Sequence, residues 1–160
     1  MPTRPRDAGF TLIEVMVTIM LFGIVVAIAV NGSRSWSLAH EQSGTARTLQ
    51  SVLRQAQQRA VTEGKAVCVT FDVASDSYTV FRGACDDPAK TRVKGPMSAS
   101  SSKVHLTTPA FTSPSGTPGA AVGFTARGTA WPGQVKVTRD GSTKTYVLSV
   151  EGLTGRVALS

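Results

Sequence analysis

Two cysteines and two distant histidines lack the spacing of a structural zinc site, so Cys68, Cys85, His40 and His105 imply no metal. No Gly-x-Ser-x-Gly, His-Glu-x-x-His or phosphate-loop pattern occurs. That leaves no catalytic constellation and gives no reason to expect an enzyme, a cofactor or a small-molecule substrate. Aromatics make up 6% of the chain, and beyond Asn31 it is rich in Ser, Thr, Gly and Pro. Such a composition excludes a large core and predicts a modest sheet with long loops. Acidic residues are scarce, at 10 against 17 Lys and Arg, for a net charge of +7. Charge is missing altogether from Val15 to Val30.

That uncharged stretch is the strongest feature present. The apolar run from Phe10 to Val30 amounts to roughly 32 Å of helix at about 1.5 Å per residue, enough to cross a bilayer. Arg4 and Arg6 precede it and favour a cytoplasmic N-terminus, with the rest of the chain across the membrane. A secretory signal peptide would carry an Ala-x-Ala-like site after the run, and Asn31-Gly32-Ser33-Arg34 is a poor one. A plain anchor explains the length but not Glu14, whose carboxylate one turn inside the run costs on the order of 3 kcal/mol unless it has a partner or a task.

Gly9-Phe10-Thr11-Leu12-Ile13-Glu14 resembles the N-terminal signature of type IV pilins and type II secretion pseudopilins. The resemblance implies cleavage after Gly9 by a prepilin peptidase, N-methylation of the new first residue Phe10, and an assembly role for Glu14. It also implies a cytoplasmic-membrane subunit with its head outside the cytoplasm, which joins other pilins or pseudopilins in a periplasmic or extracellular helical filament. Physical chemistry is consistent with this. The amine freed at Phe10 lies one turn from Glu14, near the positive end of the helix dipole, and the carboxylate can pair with it or with the amine of a preceding subunit.

The expected architecture is α+β and pilin-like: a long N-terminal helix, transmembrane in its first half, packed on a small antiparallel sheet. Residues 1–9 read as leader, 10–33 as transmembrane or filament-core helix, and 34–160 as soluble head, with an amphipathic helix over 34–63 and the sheet over 65–160. Asn31 and Gly32 mark a weak point in the helix. Leu49, Val52, Leu53, Ala56 and Ala60 recur at spacings of three and four and define the face that lies on the sheet. Gly64 stops the helix.

The period then changes to two. Val67, Val69 and Phe71 predict a half-buried strand, with Tyr78–Phe81 returning. That hairpin brings Cys85 near Cys68, and an even cysteine count in an exported domain permits one disulfide. Residues 83–103 read as a polar loop, followed by a short strand at Val104–Leu106. His105 reads as a surface strand residue. Residues 107–121, with three prolines and two glycines, read as another loop. Val122-Gly123-Phe124 leads into a final sheet in which Asp140-Gly141 signals a two-residue type I′ turn.

The order Phe124-Thr125-x-x-Gly128, hairpin, Gly155-Arg156-Val157 is similar to GspH/FimT-type minor pilins. FimT-like DNA receptors carry a Gly-Arg-x-Arg motif. Here Gly155-Arg156-Val157-Ala158 keeps the first arginine and lacks the second. The basic residues Arg127, Lys136, Arg139, Lys144 and Arg156 are the corresponding candidates for sequence-independent DNA contact. Ordinary solubilising charge is the competing reading.

Overall fold

The computed structural model of the chain describes residues 10–160, so Gly9 and the basic leader lie outside the described residues. Helix α1 runs from Leu12 to Glu63. It passes Asn31 and Gly32 without interruption, contrary to the weak point expected there. A single glycine costs a helix about 1 kcal/mol, too little to break one this long. The chain divides into two compact units, one ending at Leu38 and the other spanning Ala39–Ser160.

The first unit is the apolar start of α1. Its hydrophobic side chains are exposed, from Phe10 at 81% to Ile28 at 70%. Leu12–Ala29 is long and apolar enough to cross a membrane, with a mean hydropathy of 2.7.

The second unit opens with the rest of α1 and adds nine strands. These are β1 (Val67–Asp72), β2 (Ser77–Arg82), β3 (Thr91–Ser98), β4 (Val104–Thr112), β5 (Pro118–Gly119), β6 (Ala121–Phe124), β7 (Gly133–Arg139), β8 (Tyr146–Val150) and β9 (Val157–Leu159). They form two sheets rather than the one expected, ordered β3-β2-β1-β6 and β5-β4-β7-β8-β9. Every pairing is antiparallel. Val122-Gly123-Phe124 therefore belongs to the first sheet, beside β1, and not to the final one.

One core serves both sheets. Ala46, Leu49, Val52, Leu53, Ala56 and Ala60 of α1 are buried with Val67, Val69, Val80 and Phe124 of the first sheet and Leu106, Val135, Val137 and Leu148 of the second. The helical spacing of three and four puts the α1 residues on one stripe, and the period of two puts the strand residues on one face of each sheet. Phe71 and Phe111 stack with ring centroids 5.6 Å apart and tie β1 to β4.

The segments read as loops contain strand. β3 occupies much of 83–103, and β4 continues to Thr112 past Pro109. In each case the proline sits where pairing is irregular. Register shifts fall on either side of Val80 opposite β3, which holds Gly95 and Pro96, and between Thr107 and Ala110, which bracket Pro109. An irregular or edge position tolerates a residue that cannot donate to the ladder, which is why proline misleads in β4, while the polarity of 83–103 is that of an exposed edge strand.

The Asp140-Gly141 turn is also wider than expected. Gly141 has positive φ but Asp140 does not, whereas a type I′ turn needs both, and pairing resumes only at Val137 opposite Tyr146. The buried Gln42 of α1 explains the opening: its Nε2 donates to the carbonyls of Val137, at 3.1 Å, and Lys144, at 2.8 Å.

Candidate functional site

The helix start is built from its own sequence. Thr11 precedes the first helical residue, and its Oγ1 accepts the backbone N–H of Glu14 at 3.3 Å. Thr11-Leu12-Ile13-Glu14 thus spells an N-cap with an acid three residues on, the capping-box pattern. Sequence reasoning missed Thr11, although that spacing is visible in the chain. Among the described residues the Glu14 carboxylate has no partner. It is exposed, on a helix whose neighbouring side chains are apolar apart from Thr11 and Thr18.

The head is fastened to the second half of α1 by polar side chains at the margins of the apolar stripe. Gln57 Nε2 donates to the carbonyls of Thr154, at 2.8 Å, and Gly128, at 3.1 Å. Arg54 and Gln50 both donate to the carbonyl of Val157, on the otherwise open edge of β9. These bonds fix the β8–β9 turn and Gly155 against the helix.

Cys68 and Cys85 form a disulfide with Cα atoms 5.0 Å apart. Cys68 is fully buried although it lies on the face of β1 opposite the core. Trp131 covers that face: it packs over Gly123, which pairs with Cys68, and a Cβ on Gly123 would lie 2.9 Å from Trp131 Cε2. Lys90 closes the loop by donating to the Cys85 carbonyl at 2.8 Å.

His105 lies on the outer face of β4. Its Nδ1 is 2.7 Å from Asp76 Oδ2 and its Nε2 is 3.3 Å from Asp140 Oδ1. The Asp76 hydrogen bond, aided by the two negative charges and opposed by desolvation, raises the imidazole pKa from its usual 6.5. Among the described residues no group of three or more His, Cys, Asp or Glu is placed to hold a metal.

The five basic residues singled out in the sequence do not form one patch. Lys136 is at mid-strand on the outer face of β7, while Arg139, at its end, falls on the opposite face. Lys144 follows in the β7–β8 loop, its Nζ 4.9 Å from the centroid of the Tyr146 ring. Arg127 and Arg156 flank Gly128 and Gly155 at the other end of the sheet.

Residues 4–30 match the prokaryotic N-terminal methylation motif, and residues 45–154 match the type II transport protein GspH. No curated protein matches the chain by sequence. The minor pseudopilin EpsH from the type 2 secretion system of Vibrio cholerae superposes with a TM-score of 0.58 at 16% identity, over 75% of this chain and 96% of that one. The type IV minor pilin FimU of Pseudomonas aeruginosa gives a TM-score of 0.58 at 19% identity, over 78% and 92%. GspH of Escherichia coli gives 0.54 at 16% identity, over 77% and 90%. These likenesses carry the fold, and the GspH match covers most of the chain, behind an N-terminal methylation motif: the chain belongs to the GspH family of type II transport proteins.

Proposed function

We propose that the chain is a non-catalytic filament subunit, cut after Gly9 by a prepilin peptidase, methylated at Phe10, and held in the cytoplasmic membrane by residues 10–33 until it assembles. The observation that carries this reading is Glu14. Its carboxylate has no partner among the described residues and stands at the start of an apolar segment whose large side chains from Phe10 to Ile28 are exposed. In a filament, stacked helices cover that apolar surface, and the amine of a neighbour's Phe10 neutralises Glu14. Helices repeated head to tail make contacts that do not close, which gives a fibre rather than a ring.

Intact-mass analysis of the membrane-extracted protein tests it. The mature chain is expected to begin at Phe10 with a methylated amine, and Gly9→Ala to leave a longer precursor absent from sheared filaments. A mature chain that retains Arg4 and Arg6 overturns the reading. The scattered placement of Arg127, Lys136, Arg139, Lys144 and Arg156 gives no observation that favours DNA reception as a second function.

A further inference from the structure

Among the described residues the long open strand edge of the head is β3, which pairs with β2 on one side and with no strand on the other. The remaining edges are short or covered. β5 has two residues, β6 has an isolated bridge to Ala130, and α1 side chains occupy the Val157 carbonyl of β9. Beside β3 runs a groove of about 490 Å³ against the last turns of α1. Its floor is apolar, made by Val52, Ala56 and Val80, and its walls are polar, including Gln58, Thr62 and Lys94.

The charge of this edge has one sign. Lys94 pairs with Val80 and therefore shares its groove face, whereas Arg92 pairs with Phe81 and lies on the outer face. Among the described residues neither cation has a carboxylate partner. The carboxylate lining the groove, Glu63, is already engaged, by Arg59 at 3.3 Å and Arg82 at 2.7 Å. Lys90 is committed to the Cys85 carbonyl. Both faces of the edge thus present an unneutralised cation over a partly apolar groove.

We propose that this edge and groove receive an extended, acidic segment of a different filament subunit; this rests on the filament reading above. An added strand alternates its side chains between two faces. It can offer one carboxylate to Lys94, another to Arg92, and an apolar residue to Val52 and Ala56, while its backbone pairs with Thr91–Lys94. Pro96 has no N–H to donate and ends that pairing. The same charges reject a second copy of this chain, since two β3 edges would set Arg92 and Lys94 against their own kind. The edge is guarded against itself and open to a partner of opposite charge.

The test uses the full chain in cells that assemble the filament, with a benzophenone amino acid at Gln58 in the groove and, as a control, at Lys136 on the other sheet. Irradiation is expected to join Gln58, and not Lys136, to another subunit, at a segment with two or more Asp or Glu close to the attachment point. Arg92→Glu with Lys94→Glu should reduce the adduct roughly tenfold, and Lys substitutions of the mapped carboxylates should restore it. Lys94→Gln, which removes a charge without reversing it, should give a smaller loss, and a retained disulfide on a non-reducing gel checks the fold. A chain present in sheared filaments with no Gln58 adduct, or with an adduct to a second copy or to a segment without carboxylates, overturns the proposal. A chain neither cut at Phe10 nor found in filaments overturns the filament reading instead.

Discussion

Asp76 grips His105 and its neighbour at once: Oδ2 meets His105 Nδ1 at 2.7 Å, and Oδ1 accepts the Leu106 N–H at 2.8 Å. The β1–β2 turn of one sheet is thereby clamped to β4 of the other. Asp76 holds φ at 46°, a left-handed conformation that Asp tolerates better than most residues.

This clamp should be pH-dependent. His105 satisfies both Asp76 and Asp140 only when both ring nitrogens carry protons. Its pKa is raised by folding, so its contribution is complete below the unfolded value near 6.5 and fades as pH rises through the folded value. The difference in thermal midpoint between the native chain and His105→Gln should therefore be larger at about pH 5.5 than at about pH 8.5. An equal difference at both would show that the ion pairs contribute nothing.

The Cys68–Cys85 bond closes a 17-residue separation, and a loop of that size corresponds to about 3 kcal/mol of stabilisation. Protein made in an oxidising compartment should show no free thiol on labelling under denaturing conditions. Cys85→Ala should lower the midpoint in denaturant accordingly. Two reactive thiols in the purified native chain would contradict this.

Gly123 and Trp131 should be coupled. The Cβ of Gly123→Ala would press on the indole, 2.9 Å from Cε2 and 3.0 Å from Nε1, and should cost about 1–3 kcal/mol. With Trp131 also changed to Ala, the added cost of the Gly123 substitution should nearly vanish. Additive effects in a double-mutant cycle would show that the ring yields without strain.

Glu14→Ala should be inserted and cut normally yet enter filaments poorly. On the filament reading proposed above, the carboxylate acts at assembly, after cleavage, whereas the Thr11 cap that starts the helix does not depend on it. The comparison is between precursor and mature protein in membranes and mature protein in sheared filaments. Normal incorporation would make the carboxylate dispensable.

Much was legible in the sequence because it is local. The uncharged run, the stripe from Leu49 to Ala60 and the alternation from Val67 to Phe71 each follow from one element's own period, and all have their counterparts in α1 and β1. The N-terminal signature is local too, which is why the resemblance to pilins and pseudopilins could be read from six residues, while the GspH likeness drew on the order from Phe124 to Val157. Polarity misled over β3, an edge strand whose side chains need not be buried, and proline misled at Pro109 in β4, because whether a backbone N–H is needed depends on the strand alongside.

The sequence by itself determined the long apolar helix, the amphipathic face and the family resemblance, since hydrophobic period and a contiguous motif need no knowledge of distant partners. Only the tertiary structure decided that there are two sheets, that β6 returns to β1, that Gln42 spreads the β7–β8 loop, and that Lys94 and Arg92 line an open edge. Each of these turns on groups far apart in the chain. An edge exists only once every other strand has found its neighbour.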